Sequence, residues 1–305
     1  MKIGIFDSAA SATGTLDDLI HSANAARSDG FHSWWIPQIF GYEALTVLAV
    51  VGQQVSDIEL GTAVVPTFPR HPVTMAASAL TTQAATHGRL SLGIGLSHEV
   101  VIENMFGLSF AKPVQHMSQY LDALIPLLHG QQAATSGETI RVNMTMSVPS
   151  GFEAPPLLLA ALGPKMLQLA AQRCDGTVTW MCGQSTLCDY IVPTITSLAS
   201  QADRPAPRIV ACLPTCVTDN VDETRERCAT LFAMYGFLPS YRAMLDKEGV
   251  DGPADVALIG SHDHIVDTVS RLAERGVTDF VAVEFTSNPD EATATRATLA
   301  SLIGH

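Results

Sequence analysis

Lysine is scarce in this chain: four residues in 305, none near another, within 17 basic against 30 acidic side chains and a net charge of −13. Nucleic-acid backbones are gripped by clustered Lys and Arg, so nucleic acid is excluded as a partner. Long apolar runs are missing too. No stretch approaches the roughly 20 apolar residues of a membrane-spanning helix, and MKIGIFDS enters a strand-like run without an apolar signal segment, so a cytoplasmic protein with no membrane partner is expected. The six cysteines (Cys174, Cys182, Cys188, Cys212, Cys216, Cys228) never fall at C-x-x-C spacing, which leaves buried free thiols rather than a zinc or dithiol site. His262-x-His264 has no companion ligands, so no metal is expected. A G-x-G-x-x-G after the first strand is also absent, and Gly93-x-Gly95 lacks the third glycine. A doubly wound open sheet stays an alternative, with only this weak match to its fingerprint.

What is present is a large core. Hydrophobic residues make up 47% of the chain and charged residues 15%, which fits a packed globular protein. Ile58 to Val65 reads as a strand, a Pro-rich turn follows from Pro66 to Pro72, then an apolar-faced helix, then a second strand from Arg89 to Ser97. Strand, helix, strand is a βαβ unit, so the sheet should be parallel and buried. The pattern repeats. Further strands are expected at Lys2–Phe6, Ser33–Pro37, Leu157 onward, Thr177–Met181, Arg208–Thr218 and Asp279–Phe285, with capped helices behind Thr15, Ser261 and Asn288. About eight strands, most followed by a helix, close naturally as one (β/α)8 TIM barrel over residues 1–305, a fold that runs to roughly 250 residues or more as one domain. Residues 130–155 break the pattern and suggest an inserted hairpin, and residues 236–255 a helical excursion.

In such a barrel the chemistry belongs to the loops after the strands' C-terminal ends. Those loops carry Asp7 and Ser8, Gln38, Thr67 to His71, Ser97 to Glu99, Gly163 to Met166, Thr179 to Gly183 and Glu284 to Ser287, a polar rim without a triad. A Schiff-base lysine at a strand end is lacking, because Lys165 lies inside a helix start. LGPKM, Leu162 to Met166, places Gly and Pro at a helix mouth whose free N–H groups suit an anion, although the same residues also make an ordinary strand-to-helix turn.

GTAVVPTFPRHP from Gly61, GRLSLGIGLSH from Gly88, FAKPVQHMSQYLDALIPLL from Phe110, LLLAALGPKMLQLAAQRCDGTVTW from Leu157 and YRAMLDKEGVDGPADVALIGS from Tyr241 resemble the luciferase-like monooxygenase superfamily. Within it they resemble the actinobacterial branch of coenzyme F420-dependent oxidoreductases. The resemblance implies a bacterial-luciferase-like barrel holding a deazaflavin at the strands' C-terminal ends. It also implies a non-prolyl cis peptide at Ala63-Val64 behind the cofactor ring, and a phosphate-binding turn at Gly163, Pro164, Lys165 and Met166 with Thr179 and Trp180 nearby. Sugar-phosphate dehydrogenases of this superfamily carry an Asp-His pair after strand two and a Glu after strand four. Here those positions read Gln38-Ile39 and His98, so that machinery is not expected.

His98 is then the candidate proton donor or acceptor, because imidazole titrates near neutrality, with Glu99 in reserve. Gln38 is counted with the cofactor-binding residues. The expected activity is hydride transfer between coenzyme F420 and a small organic substrate, an enone, imine or alcohol. Two alternatives stay open: a reduced-FMN-dependent monooxygenase on the same barrel, and a cofactor-free ligand-binding relative. The resemblance implies a homodimer, and the small-residue surface Ala76 to Ala85 would suit close helix packing.

Overall fold

Short apolar runs alternating with helices close into a ring in the computed structural model, which describes residues 1–8, 14–149 and 151–304. The strands in chain order are β1 (Lys2–Phe6), β2 (Ser33–Ile36), β3 (Glu59–Thr62), β4 (Val65–Pro66), β5 (Leu90–Gly95), β6 (Gln132–Ser136), β7 (Arg141–Thr145), β8 (Leu157–Ala160), β9 (Gly176–Trp180), β10 (Arg208–Val217), β11 (Leu258–Gly260) and β12 (Asp279–Glu284). β12, β1, β2, β3, β5, β8, β9 and β10 pair in parallel in that cyclic order, and pairing of β10 with β12 closes the barrel. The antiparallel hairpin β6–β7 falls within the expected insertion.

The helices are α1 (Leu16–Ser28), α2 (Ala44–Gln54), α3 (Pro72–Ala85), α4 (Pro113–Leu128), α5 (Pro164–Arg173), α6 (Gln184–Thr186), α7 (Val192–Gln201), α8 (Val221–Leu231), α9 (Pro239–Glu248), α10 (His262–Glu274) and α11 (Pro289–Ser301). The sequence caps work as expected. Thr15 and Asp18 form a reciprocal capping box on α1, Ser261 accepts from the His264 N–H, and Asn288 accepts from the Glu291 N–H.

Three segments differ from the sequence reading. The strand expected unbroken from Ile58 to Val65 is interrupted between β3 and β4, where the Ala63–Val64 peptide bond is cis. Residues 184–201, assigned nothing, carry α6, a π-helical stretch over Leu187–Ile191, and α7, with Pro193 in the first turn of α7, where its missing N–H costs little. β11 extends the upper end of β10, Thr215–Val217 pairing with Leu258–Gly260. Three residues are too short a run to show a period.

Alternation along the staves sorts side chains to two faces. One face packs under the helices, with Trp34, Leu48, Leu60, Met75, Leu121 and Phe280 all fully buried. The other fills the barrel with Trp35, Leu158, Val178, Val210, Cys212 and Val281. Trp35 occupies the centre: a Cβ on Gly61 would stand 2.1 Å from its ring, and its Nε1–H donates to Ser33 Oγ at 2.8 Å.

The bottom of the barrel is closed by charge. Arg208 donates to both Asp279 oxygens, reaches Glu59 at 2.6 Å and Ser91 at 3.0 Å, and Lys2 meets Glu59 at 3.1 Å. Burial pushes the Glu59 carboxyl up, but the Arg208 guanidinium and the Ser91 hydroxyl outweigh it and hold the group below its ordinary value. An ion cluster so well paired seals the lower end and leaves the upper end as the open one.

Candidate active site

The floor of the upper end rests on the barrel's inner residues. Phe6, Ala63, Val64 and Trp180 all pack on that layer, and Phe6 stacks on Trp180 with centroids 5.8 Å apart and planes 21° from parallel. Ala63 and Val64, and Trp180 from a distant stretch of sequence, thus share one surface. The interrupted third stave leans onto the fourth, and glycines make that possible: a Cβ on Gly93 would stand 2.1 Å from the Thr62 carbonyl oxygen, and one on Gly95 2.7 Å from Val64 Cγ2. Thr62 Oγ1 pins the junction, donating to the Gly93 carbonyl at 2.8 Å and accepting from its N–H at 2.9 Å. The Gly93-x-Gly95 pair therefore serves the barrel wall and not a nucleotide loop.

Aromatic rings build the wall above this floor. Trp180 meets Phe232 at 5.6 Å and Tyr235 at 6.1 Å, Tyr235 meets Tyr241 at 4.9 Å, and Phe232 continues to Phe285 at 5.6 Å. His98 closes the ring from the far side, 5.7 Å from Tyr241 and 6.3 Å from Tyr235. Ser97, with φ of +64°, turns the chain out of β5 and sets the direction of His98. Burial alone depresses the His98 imidazole below its ordinary 6.5, so it is neutral at pH 7. Glu99 is exposed at the start of the π-helical turn Val100–Met105. Phe232, Tyr235 and Tyr241 were not singled out in the sequence, because only the fold brings the excursion after β10 over the mouth.

The α9 helix that carries Tyr241 is fastened from its other end. The Glu248 carboxylate accepts from the Ser185 N–H at 2.9 Å and the Thr186 N–H at 2.6 Å, capping α6 in trans. Gly183 leaves the necessary room, since a Cβ there would stand 2.2 Å from that carboxyl carbon.

Several helix mouths lack a side-chain cap, and that of α5 is the one the sequence singled out. Gly163 is the N-cap of α5 and makes no side-chain hydrogen bond, while Pro164 in the first turn has no N–H to offer. Lys165 stands exposed in the same turn with Met166 half-buried behind it. A Cβ on Gly163 would meet nothing within 4 Å, so the space before these amides is open. A surface groove of about 400 Å³ continues from the turn between α5 and α7, lined by Pro164, Lys165, Gln168, Thr194, Ser197 and Leu198. Open N–H groups, one lysine and a flat apolar floor fit a planar cofactor bearing an anionic tail.

Two expected residues sit differently. Gln38 closes its own loop: its Oε1 accepts from the Ala44 N–H at 2.7 Å and its amide faces the Tyr42 carbonyl at 3.4 Å. Thr179 alternates with Trp180 on β9, is buried, and donates its hydroxyl to the Val210 carbonyl at 3.3 Å. The loop after β4 is braced by its own polar side chains. Arg70 pairs with Glu43 at 2.8 Å, and the His71 imidazole accepts from the Val73 N–H. His116 stacks on Phe68 at 3.9 Å and bonds Thr67 Oγ1, and burial pushes its imidazole down to about 4. All six cysteines are buried and free.

A parallel barrel with an apolar, aromatic mouth and an anion-ready helix terminus defines a class of cofactor-binding enzymes. The luciferase-like monooxygenase model matches residues 1–279, and the chain belongs to that family. It is similar to a Mycobacterium tuberculosis protein provisionally named a coenzyme F420-dependent oxidoreductase, with 28% identity over 85% of this chain and 77% of that one. Its fold matches that of a coenzyme F420-dependent tetrahydromethanopterin reductase from Methanopyrus kandleri, at a TM-score of 0.81 and 19% identity over 99% of this chain and 98% of the other. It also matches the FMN-complexed oxygenating constituent of the 3,6-diketocamphane monooxygenase of Pseudomonas putida, at 0.77 and 18% over 98% and 96%.

Proposed function

We propose that this protein is a coenzyme F420-dependent oxidoreductase that moves a hydride between the deazaflavin and a small organic substrate, an enone, imine or alcohol. The observation that carries this reading is the uncapped α5 mouth, Gly163 to Met166, at the same end of the barrel as the floor of Ala63, Val64 and Trp180. The four turn residues would hold the cofactor's phosphate, and the groove beyond Lys165 gives the longer F420 tail a surface that FMN, ending at its phosphate, does not need. Thr179 would act through the barrel wall and Gln38 through the shape of its loop.

When bound, a deazaflavin supplies or accepts a hydride at its C5 carbon. The chain's own residues do the rest. The aromatic wall excludes water and orients the substrate, since fixing two reacting centres in line removes much of the barrier. Reduction of a polar double bond takes one hydride onto carbon and one proton onto the atom that receives the π electrons, and His98 in its imidazolium form, the minor one at pH 7, would deliver that proton. In the reverse direction neutral His98 would take the proton from an alcohol. Glu99 would serve if His98 does not.

A transfer experiment tests this directly. Reduced F420 labelled with deuterium at C5 should pass the label to carbon of a reduced enone, read by mass spectrometry of the product. Unlabelled product, or oxygen incorporated from O2, would move the protein to the alternative reading, an FMN-dependent monooxygenase, which the fold shared with an FMN-holding enzyme keeps in view. We also propose a homodimer through the outward faces of α2 and α3, where Ala49, Val50, Ala77 and Ser78 are half-buried and small enough for close packing.

A further inference from the structure

The mouth holds many rings, and among the described residues most of the cations on the elements around it are already committed. Arg227 donates to the Phe285 carbonyl at 2.8 Å and lies 4.5 Å over the Phe285 ring. Arg242 bonds Asp246 and the carbonyls of Val250 and Asp251. Lys247 sits 4.4 Å over Tyr190, and Arg70 is paired with Glu43. Arg225 lies beside Cys228 on α8, and its buried Nε has no hydrogen-bond partner among the described residues. Lys165 stands at the α5 turn, where the reading above assigns it to the cofactor. The polar groups presented by the wall are the His98 imidazole and the Tyr235 and Tyr241 hydroxyls. The Trp180 Nε1–H is buried toward Tyr235 but makes no well-formed hydrogen bond. Burial raises both phenols, so their hydroxyls remain protonated donors. The exposed Glu99 carboxylate beside His98 adds a negative charge at the rim.

Resting on the proposed cofactor reading, we infer that the substrate half of this mouth takes an uncharged compound with a planar, apolar body and one hydrogen-bond-accepting atom, and rejects carboxylates and phosphates. The rings pack on one another at about 5–6 Å, so a flat partner would meet their outer faces, by stacking and edge contacts. A carboxylate entering here would lose its hydration and find no partner charge, which is the costlier way to bury a polar group. Rejection thus comes from the missing cation as much as from the rings.

The test is calorimetric titration of the full chain loaded with oxidised F420, which cannot turn the ligand over. The probes are 4-phenylbut-3-en-2-one and its para-carboxylate. The ketone should bind at least tenfold tighter than the carboxylate. Equal or tighter binding of the carboxylate, or no binding of the ketone to F420-loaded protein, overturns the inference. Tyr235→Arg, with folding checked by circular dichroism, restores a cation and should move the preference toward the carboxylate by tenfold or more; an unmoved preference counts against it. If F420 itself fails to bind while unloaded protein still prefers the ketone, the cofactor reading falls and the inference about the mouth stands.

Discussion

Gly163 shows how one missing side chain can be a functional statement. An Asp there would cap α5 with its own carboxylate, and the open space in front of the residue offers no steric objection. Asp caps exceed Gly by a few tenths of a kcal/mol. Gly163→Asp should therefore leave the midpoint of unfolding level or slightly raised, yet weaken cofactor binding by roughly tenfold, because the cap takes the amides and sets a negative charge where a phosphate would lie. Loss of stability together with affinity would instead mean a merely structural turn. His98 carries the second prediction at this scale. With its imidazole depressed below 6.5 by burial, reduction should slow as pH rises through that lowered value, and oxidation of an alcohol should slow as pH falls through it. His98→Asn should remove both limbs and cost about 10²–10⁴ in kcat. Strand ends led to Gly163 and His98, and the family resemblance to Ala63 and to the cofactor role of Trp180. The sequence was silent on the inward or outward sense of Thr179 and on the use of the Gln38 amide, which are fixed by register and by a neighbouring helix start.

At the scale of elements, the barrel was legible wherever a period or a cap marked it. The capping box at Thr15 and the hairpin β6–β7 appear where the sequence placed them. The misses share a physical cause. Pro193 hid a helix because proline reads as a breaker unless its place in the first turn is known, and three residues of β11 show no alternation. The break between β3 and β4 has no local period to mark it, and only the family resemblance pointed to Ala63-Val64; the room for it is made on another strand, by the two glycines of β5. The α9 latch is likewise a property of two distant segments. Glu248→Ala should leave the barrel folded but loosen α9, seen as faster amide exchange across residues 239–248 by roughly tenfold, the equivalent of a lost cap of about 1 kcal/mol. Unchanged exchange there would show that the aromatic wall alone holds the helix down.

For the whole molecule, the two ends of one barrel have opposite characters. A cluster of Lys2, Glu59, Arg208 and Asp279 seals the lower end, and rings with an uncapped helix terminus frame the upper one. The net charge of −13 makes that lone Lys165 turn stand out as the place where an anion is welcome. The most direct measurement is titration of the purified protein with coenzyme F420 and, separately, with FMN, following cofactor fluorescence. The account predicts micromolar binding of F420 and much weaker binding of FMN. A preference for FMN, or binding of neither, would contradict it.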